Sequence, residues 1–259
     1  MENTDIRRAR SGLVYGQRGT GPAVLLVHGW CLDRTAWLYL EQDLVDAGYE
    51  VITPALAGYG ASSDVAGPYT LSRHAGDMKD LLDELDLNGV TVVGFALGAA
   101  VLLSLEDYAR VGGIVSIGVP TAAGAPYDRM RRAIKRDWPL FAQRSVTTIC
   151  HRKQSDATLA WLGHMYGSTR LDAAIAGTEL LAEFEPTTVS QRWTVPSTFI
   201  HGANDTIVST EVSAECVRLF EGAELVILDD CGHYVPLDQK DALLAEVIRR
   251  AEGTAHEAA

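Results

Sequence analysis

The sequence predicts an α/β fold: a mostly parallel sheet with helices on both faces, interrupted once by an inserted helical segment. Two observations carry this. Short β-branched runs alternate with amphipathic helical stretches, as they do where crossover helices join parallel strands. One long stretch, Thr121 to Pro186, contains no strand-like run and is too long for a plain connecting loop.

Taken in order, Ala23 to His28 is an apolar run ending at Gly29, which reads as a buried strand. Thr35 to Ala47 reads as a helix with Trp37, Leu40 and Leu44 on one face. Glu50 to Thr53 is a strand stopped by Pro54. Leu71 to Leu85 is a helix, because Met78, Leu81, Leu82 and Leu85 recur at i, i+3, i+4 and i+7. Val90 to Gly94 is a strand, and Leu97 to Tyr108 a helix with Leu97, Val101, Ser104 and Leu105 on its inner side. Gly113 to Ile117, Ser197 to His201 and Glu224 to Leu228 are further strands, the last two separated by a helix from Thr210 to Phe220. A final helix from Asp238 to Ala251 carries Leu243, Leu244, Val247 and Ile248 together, and the small polar tail from Ala251 to Ala259 is expected to fray.

Composition narrows the function classes. The 259 residues are 47% hydrophobic and 22% charged, ordinary globular values that suit one large domain. With 22 Lys+Arg against 34 Asp+Glu the net charge is −12, so neither nucleic acid nor an anionic membrane is an expected partner. Cys31, Cys150, Cys216 and Cys231 form no C-x-x-C pair, and His28, His74, His151, His164 and His201 show no metal-ligand spacing. No metal or organic cofactor is expected. Reduced thiols and a polar start, Met1 to Arg10, fit a cytoplasmic protein. No apolar run nears the ~20 residues a membrane helix needs.

Three local sequences carry chemistry. Val92-Val93-Gly94-Phe95-Ala96-Leu97-Gly98 takes a strand through G-x-A-x-G into a helix. Ile200-His201-Gly202-Ala203-Asn204-Asp205 puts an acid just past a strand, and Asp230-Cys231-Gly232-His233-Tyr234 puts a histidine just past the last one. Elbow, acid and histidine in that chain order resemble the α/β-hydrolase superfamily over nearly the full length. His28-Gly29-Trp30 resembles its oxyanion turn, and Gly58-Tyr59-Gly60-Ala61-Ser62 its G-x-G-x-S turn. Small esterases, lactonases and cofactor-free haloperoxidases are the most similar branch. The acidic residue common before the G-x-G-x-S turn is absent here, where Ala55-Leu56-Ala57 stands.

The resemblance implies an eight-stranded sheet with a core of residues 1–120 and 187–259 and a helical lid of residues 121–186. It implies a catalytic set of position 96, Asp205 and His233, with the backbone N–H groups of Trp30 and Leu97 facing an oxyanion. Position 96 departs from the family: alanine stands where the motif has serine. The simplest explanation is a serine hydrolase of carboxylic esters or lactones whose nucleophile has been replaced, and which is inactive or strongly impaired as it stands. Three alternatives stay open: a lyase or decarboxylase working through His233 and Asp205, a C–C bond hydrolase, and a ligand-binding pseudoenzyme. Leu97 after the elbow disfavours the aspartate-nucleophile chemistries, where tryptophan is usual.

The expected partner is a small hydrophobic or aromatic substrate, with a homodimer left open. Trp30, Cys31, Trp138 and Trp161 are candidates to line its pocket, although packing is the simpler reading for Cys31. The lid holds nine basic and seven acidic residues, giving +2 against −14 for the remainder. Its basic run, Arg129 to Arg136, reads as a solvated helix face paired with the acidic body, steering of an anionic substrate being the alternative.

Overall fold

The computed structural model describes residues 5–120, 127–190 and 193–257. The strands are β1 (Asp5–Arg8), β2 (Val14–Arg18), β3 (Ala23–Val27), β4 (Glu50–Pro54), β5 (Val90–Phe95), β6 (Val111–Ile117), β7 (Ser197–Gly202) and β8 (Glu224–Leu228). The helices are α1 (Leu38–Asp46), α2 (Leu71–Glu84), α3 (Leu97–Leu103), α4 (Tyr127–Arg136), α5 (Trp138–Ser145), α6 (Asp156–Ser168), α7 (Leu171–Glu183), α8 (Pro186–Ser190), α9 (Thr210–Val217), α10 (Val235–Asp238) and α11 (Lys240–Glu257).

All eight strands form one sheet in the order β1-β2-β4-β3-β5-β6-β7-β8. Pairing is antiparallel from β1 to β2 and from β2 to β4, and parallel elsewhere. The pleat sorts the core by parity. Leu25 and Val27 of β3 pack with α2 and α3, while Val24 and Leu26 pack with α1 and α11 on the opposite face. The sheet is therefore covered on both sides, as its near-continuous apolar strands demand.

Several boundaries differ by a few residues from the sequence reading, the largest differences being at two helix ends. Helix α3 stops at Leu103, not Tyr108, because the Ser104 hydroxyl donates to the Ala100 carbonyl at 2.7 Å and its backbone leaves the helical region. The final helix is longer than expected, since α11 continues to Glu257, and residues 258–259 of the tail lie outside the described residues.

Between β6 and β7 the described residues hold α4 to α8, and this insert is fastened to the core in two places. Helix α7 docks on the turns after β3 and β4: the Trp30 indole N–H donates to the Ala174 carbonyl at 3.0 Å, the Tyr59 hydroxyl to the Ala173 carbonyl at 3.3 Å, and the Arg170 amide to the Gly58 carbonyl at 3.0 Å. Gly177 makes this fit possible, since a Cβ there would sit 2.3 Å from the Trp30 ring and 2.8 Å from the Tyr59 oxygen. Gly177→Ala should therefore lower stability by about 1–3 kcal/mol through overpacking, as read from urea unfolding. A midpoint within error of the parent would contradict that docking.

The second fastening is Asp238, 1% exposed. Its carboxylate accepts from the backbone amides of His151 at 2.6 Å, Arg152 at 3.1 Å and Gly232 at 2.8 Å. The α5–α6 connection is thus joined to the loop that carries His233.

Candidate active site

Ala96 is the single residue between β5 and α3. Its backbone lies at φ 47°, ψ −106°, a region that costs a non-glycine residue on the order of 1–3 kcal/mol. The glycines around it are required by contact. A Cβ on Gly94 would lie 2.6 Å from the Ala99 nitrogen, and one on Gly98 2.2 Å from the Val27 carbonyl oxygen. The turn is held by Ala96 N–H donating to the Ile117 carbonyl at 2.8 Å and by Ala100 N–H donating to the Ala96 carbonyl at 3.1 Å. The amides of Trp30 and Leu97 make no such backbone bond among the described residues and remain available to an acceptor.

His233, in the loop between β8 and α10, is paired with Asp205, which follows β7. Its Nδ1 lies 2.7 Å from Asp205 Oδ2. Asp205 Oδ1 accepts the Ile207 and Val208 amides at 2.7 and 3.0 Å, and its side chain is 1% exposed. Burial opposes the charged carboxylate, but the adjacent His233 and these amides outweigh it, and the group stays ionised to below the usual carboxylate range. With Nδ1 donating to that carboxylate, Nε2 is the nitrogen left to take or give a proton. Phe95 packs against the imidazole at 5.0 Å between ring centres. At Gly118 (φ 56°) a Cβ would come within 3.0 Å of the His233 ring.

Ala96 and His233 open on one cavity of about 300 Å³. Trp30, Phe141, Tyr166, Met130 and Ile207 contribute to walls that carry no Asp, Glu, Lys or Arg. Of the sequence candidates, Trp30 lines this cavity, and Cys31, Trp138 and Trp161 do not. Cys31 (φ 57°) is fully buried, and burial raises its thiol well above its ordinary range. Trp138 stacks on the Phe141 ring at 6.1 Å, and Trp161 meets Tyr39 edge-on at 6.1 Å. The helical phase of these tryptophans shows an apolar face but not which neighbour covers it.

Sequence reasoning misses Asp238, which it reads only as the first residue of the final helix. His28 is structural. Its Nε2 accepts the Leu56 amide at 3.0 Å, so Nδ1 carries the proton and donates to the Gly29 carbonyl at 2.9 Å. That tautomer ties the Trp30 turn to the loop after β4. Behind it, His74 is buried with neither ring nitrogen hydrogen-bonded, its ring stacked at 6.3 Å on Tyr69. Burial, then the nearby His28 and Arg73, push its pKa down to about 4. The unfolded chain takes up this proton near pH 6.5, the folded chain only near 4, so stability falls as pH drops through that window. His74 alone should cost about 2 kcal/mol between pH 7 and pH 5. His74→Phe should remove that share of the slope in urea melts at the two pH values, and an unchanged slope would refute the assignment.

A family model, that of the alpha/beta hydrolase family, matches residues 24–247. The chain belongs to the alpha/beta hydrolase family. Within it, this alpha/beta hydrolase is similar to non-heme chloroperoxidase CPO-A1 of Kitasatospora aureofaciens, at 22% identity over 248 residues, 87% of this chain and 90% of the relative. Its structure resembles the esterase EaEST from Exiguobacterium antarcticum, with a TM-score of 0.89 and 19% identity over 96% of this chain and 100% of that one. It likewise resembles a bromoperoxidase from Bacillus anthracis, with a TM-score of 0.91 and 19% identity over the same shares. At these identities the structural likenesses show the shared fold.

Proposed function

We propose that this is the site of a carboxylic ester or lactone hydrolase for small apolar or aromatic substrates, with alanine in the nucleophile position. The observation that carries the reading is the His233–Asp205 pair at 2.7 Å facing the same cavity as Ala96, whose backbone keeps the strained elbow conformation. A substrate carbonyl seated over Ala96 takes the free Trp30 and Leu97 amides, donors worth about 2.7–4 kcal/mol each in a comparable hydrolase. His233 Nε2 is the general base and Asp205 stabilises its imidazolium. With a methyl at position 96 no acyl-enzyme forms, and the chain as it stands binds esters with little or no turnover. The uncharged lining supports a neutral substrate portion inside, and the esterase among the structural neighbours supports the reaction class.

The test is covalent labelling. A fluorophosphonate should leave the chain unmodified and add one adduct to the Ala96→Ser variant by intact mass. No adduct on that variant would sink the hydrolase reading. One observation favours a second reading. An acid–base pair is fully built beside a methyl group, which suits a lyase or decarboxylase that needs His233 and no nucleophile. There, His233→Ala would abolish turnover by the parent chain and position 96 would matter little.

A further inference from the structure

The basic face of the insert is not neutralised by the acidic body. In α4, Arg131 pairs with Asp128 and lies 3.8 Å from Glu179. Among the described residues Arg129, Arg132, Lys135 and Arg136 of α4 and Arg144 of α5 make no ion pair, and all five are exposed. The paired-face expectation therefore fails for most of the run. The reason lies in placement: α4 packs on α7, and of the α4 cations only Arg131 comes near an acidic side chain of α7, Glu179.

Two of these cations converge. Arg136 and Arg144 line an outer groove of about 250 Å³ between α4 and α5. Three of its residues, Phe141, Ser145 and Thr148, also line the inner cavity that holds Ala96 and His233. The uncharged cavity and the groove with two unpaired guanidinium groups thus adjoin along α5. Asp137 is the groove's one carboxylate, and its Oδ1 is occupied in capping α5 through the Leu140 amide at 3.0 Å.

We infer that the substrate is an anionic amphiphile, its apolar acyl portion and scissile carbonyl in the inner cavity and a phosphate or carboxylate at its far end held by Arg136 and Arg144. The inference rests on the ester-hydrolase reading for what occupies the inner cavity. Two guanidinium forks suit an anion with several acceptor oxygens, and the inner walls carry no Lys or Arg to compete for it.

The experiment is calorimetric titration of the chain with octyl phosphate, nonanoate and octan-1-ol. Octyl phosphate or nonanoate should bind at least about tenfold more tightly than octan-1-ol, the preference shrinking as sodium chloride is added. Arg136→Gln with Arg144→Gln should erase the preference and leave octan-1-ol binding in place, which also reports a folded cavity. Arg132→Gln, outside the groove, should keep the preference. Equal binding of all three probes overturns the proposal, as does an Arg132→Gln loss as large as that of the double variant. Capture on vesicles of phosphatidylglycerol and phosphatidylcholine without binding of the monomeric anions also overturns it. The two readings separate cleanly. A labelled Ala96→Ser protein with no anion preference sinks this proposal and spares the hydrolase, whereas the preference without labelling sinks the hydrolase and with it the scissile carbonyl, leaving only an anion-binding groove at Arg136 and Arg144.

Discussion

Ala96→Ser should raise ester turnover by about 10⁴- to 10⁶-fold, the scale lost when a serine nucleophile is removed from a comparable triad. The magnitude follows from how little else must change. The elbow backbone is already at φ 47°, so the hydroxyl adds one oxygen to a Cβ that faces the cavity and introduces no new backbone strain. In the proposed mechanism His233, held by Asp205 and by Phe95, is already placed as the base, and the Trp30 and Leu97 amides make no competing backbone bond among the described residues. Steady-state rates on short and aromatic p-nitrophenyl esters measure it. A gain below about tenfold would mean that His233 and position 96 are not aligned for proton transfer.

Asp205→Asn in the Ala96→Ser background should then lower kcat by about 10⁴-fold while leaving the thermal midpoint nearly unchanged. The amide oxygen can still accept the Ile207 and Val208 amides, so the loop keeps its shape. What is lost is the charge beside His233 and the acceptor that holds its proton on Nδ1. An amide NH₂ turned toward that nitrogen favours the opposite tautomer and leaves Nε2 protonated, unable to act as base. Because Asp205 is held ionised to below the usual carboxylate range, the parent should keep this contribution throughout mildly acidic conditions. A drop in kcat of less than about tenfold would assign Asp205 to loop structure alone.

The residues that could be placed from sequence are those whose function leaves a local trace. The elbow glycines are legible because Gly94 and Gly98 each sit against another backbone. Asp205 and His233 are legible because each follows a strand by a few residues. The N-terminal hairpin of β1 and β2 left no such trace: Asp5–Arg8 is polar, short and exposed along its whole length, without the alternation of a half-buried strand. Asp238 was invisible because its partner His151 lies 87 residues away, and a carboxylate's distant backbone donors have no signature in the chain around it. The basic run illustrates the opposite limit. Its charges are plain in the sequence, but whether anything neutralises them depends on what α4 is packed against.

The two fastenings also limit how the insert can move against the core. A plate hinged along one edge can swing, but a plate bolted at Ala174 and again at His151 can only flex between its bolts.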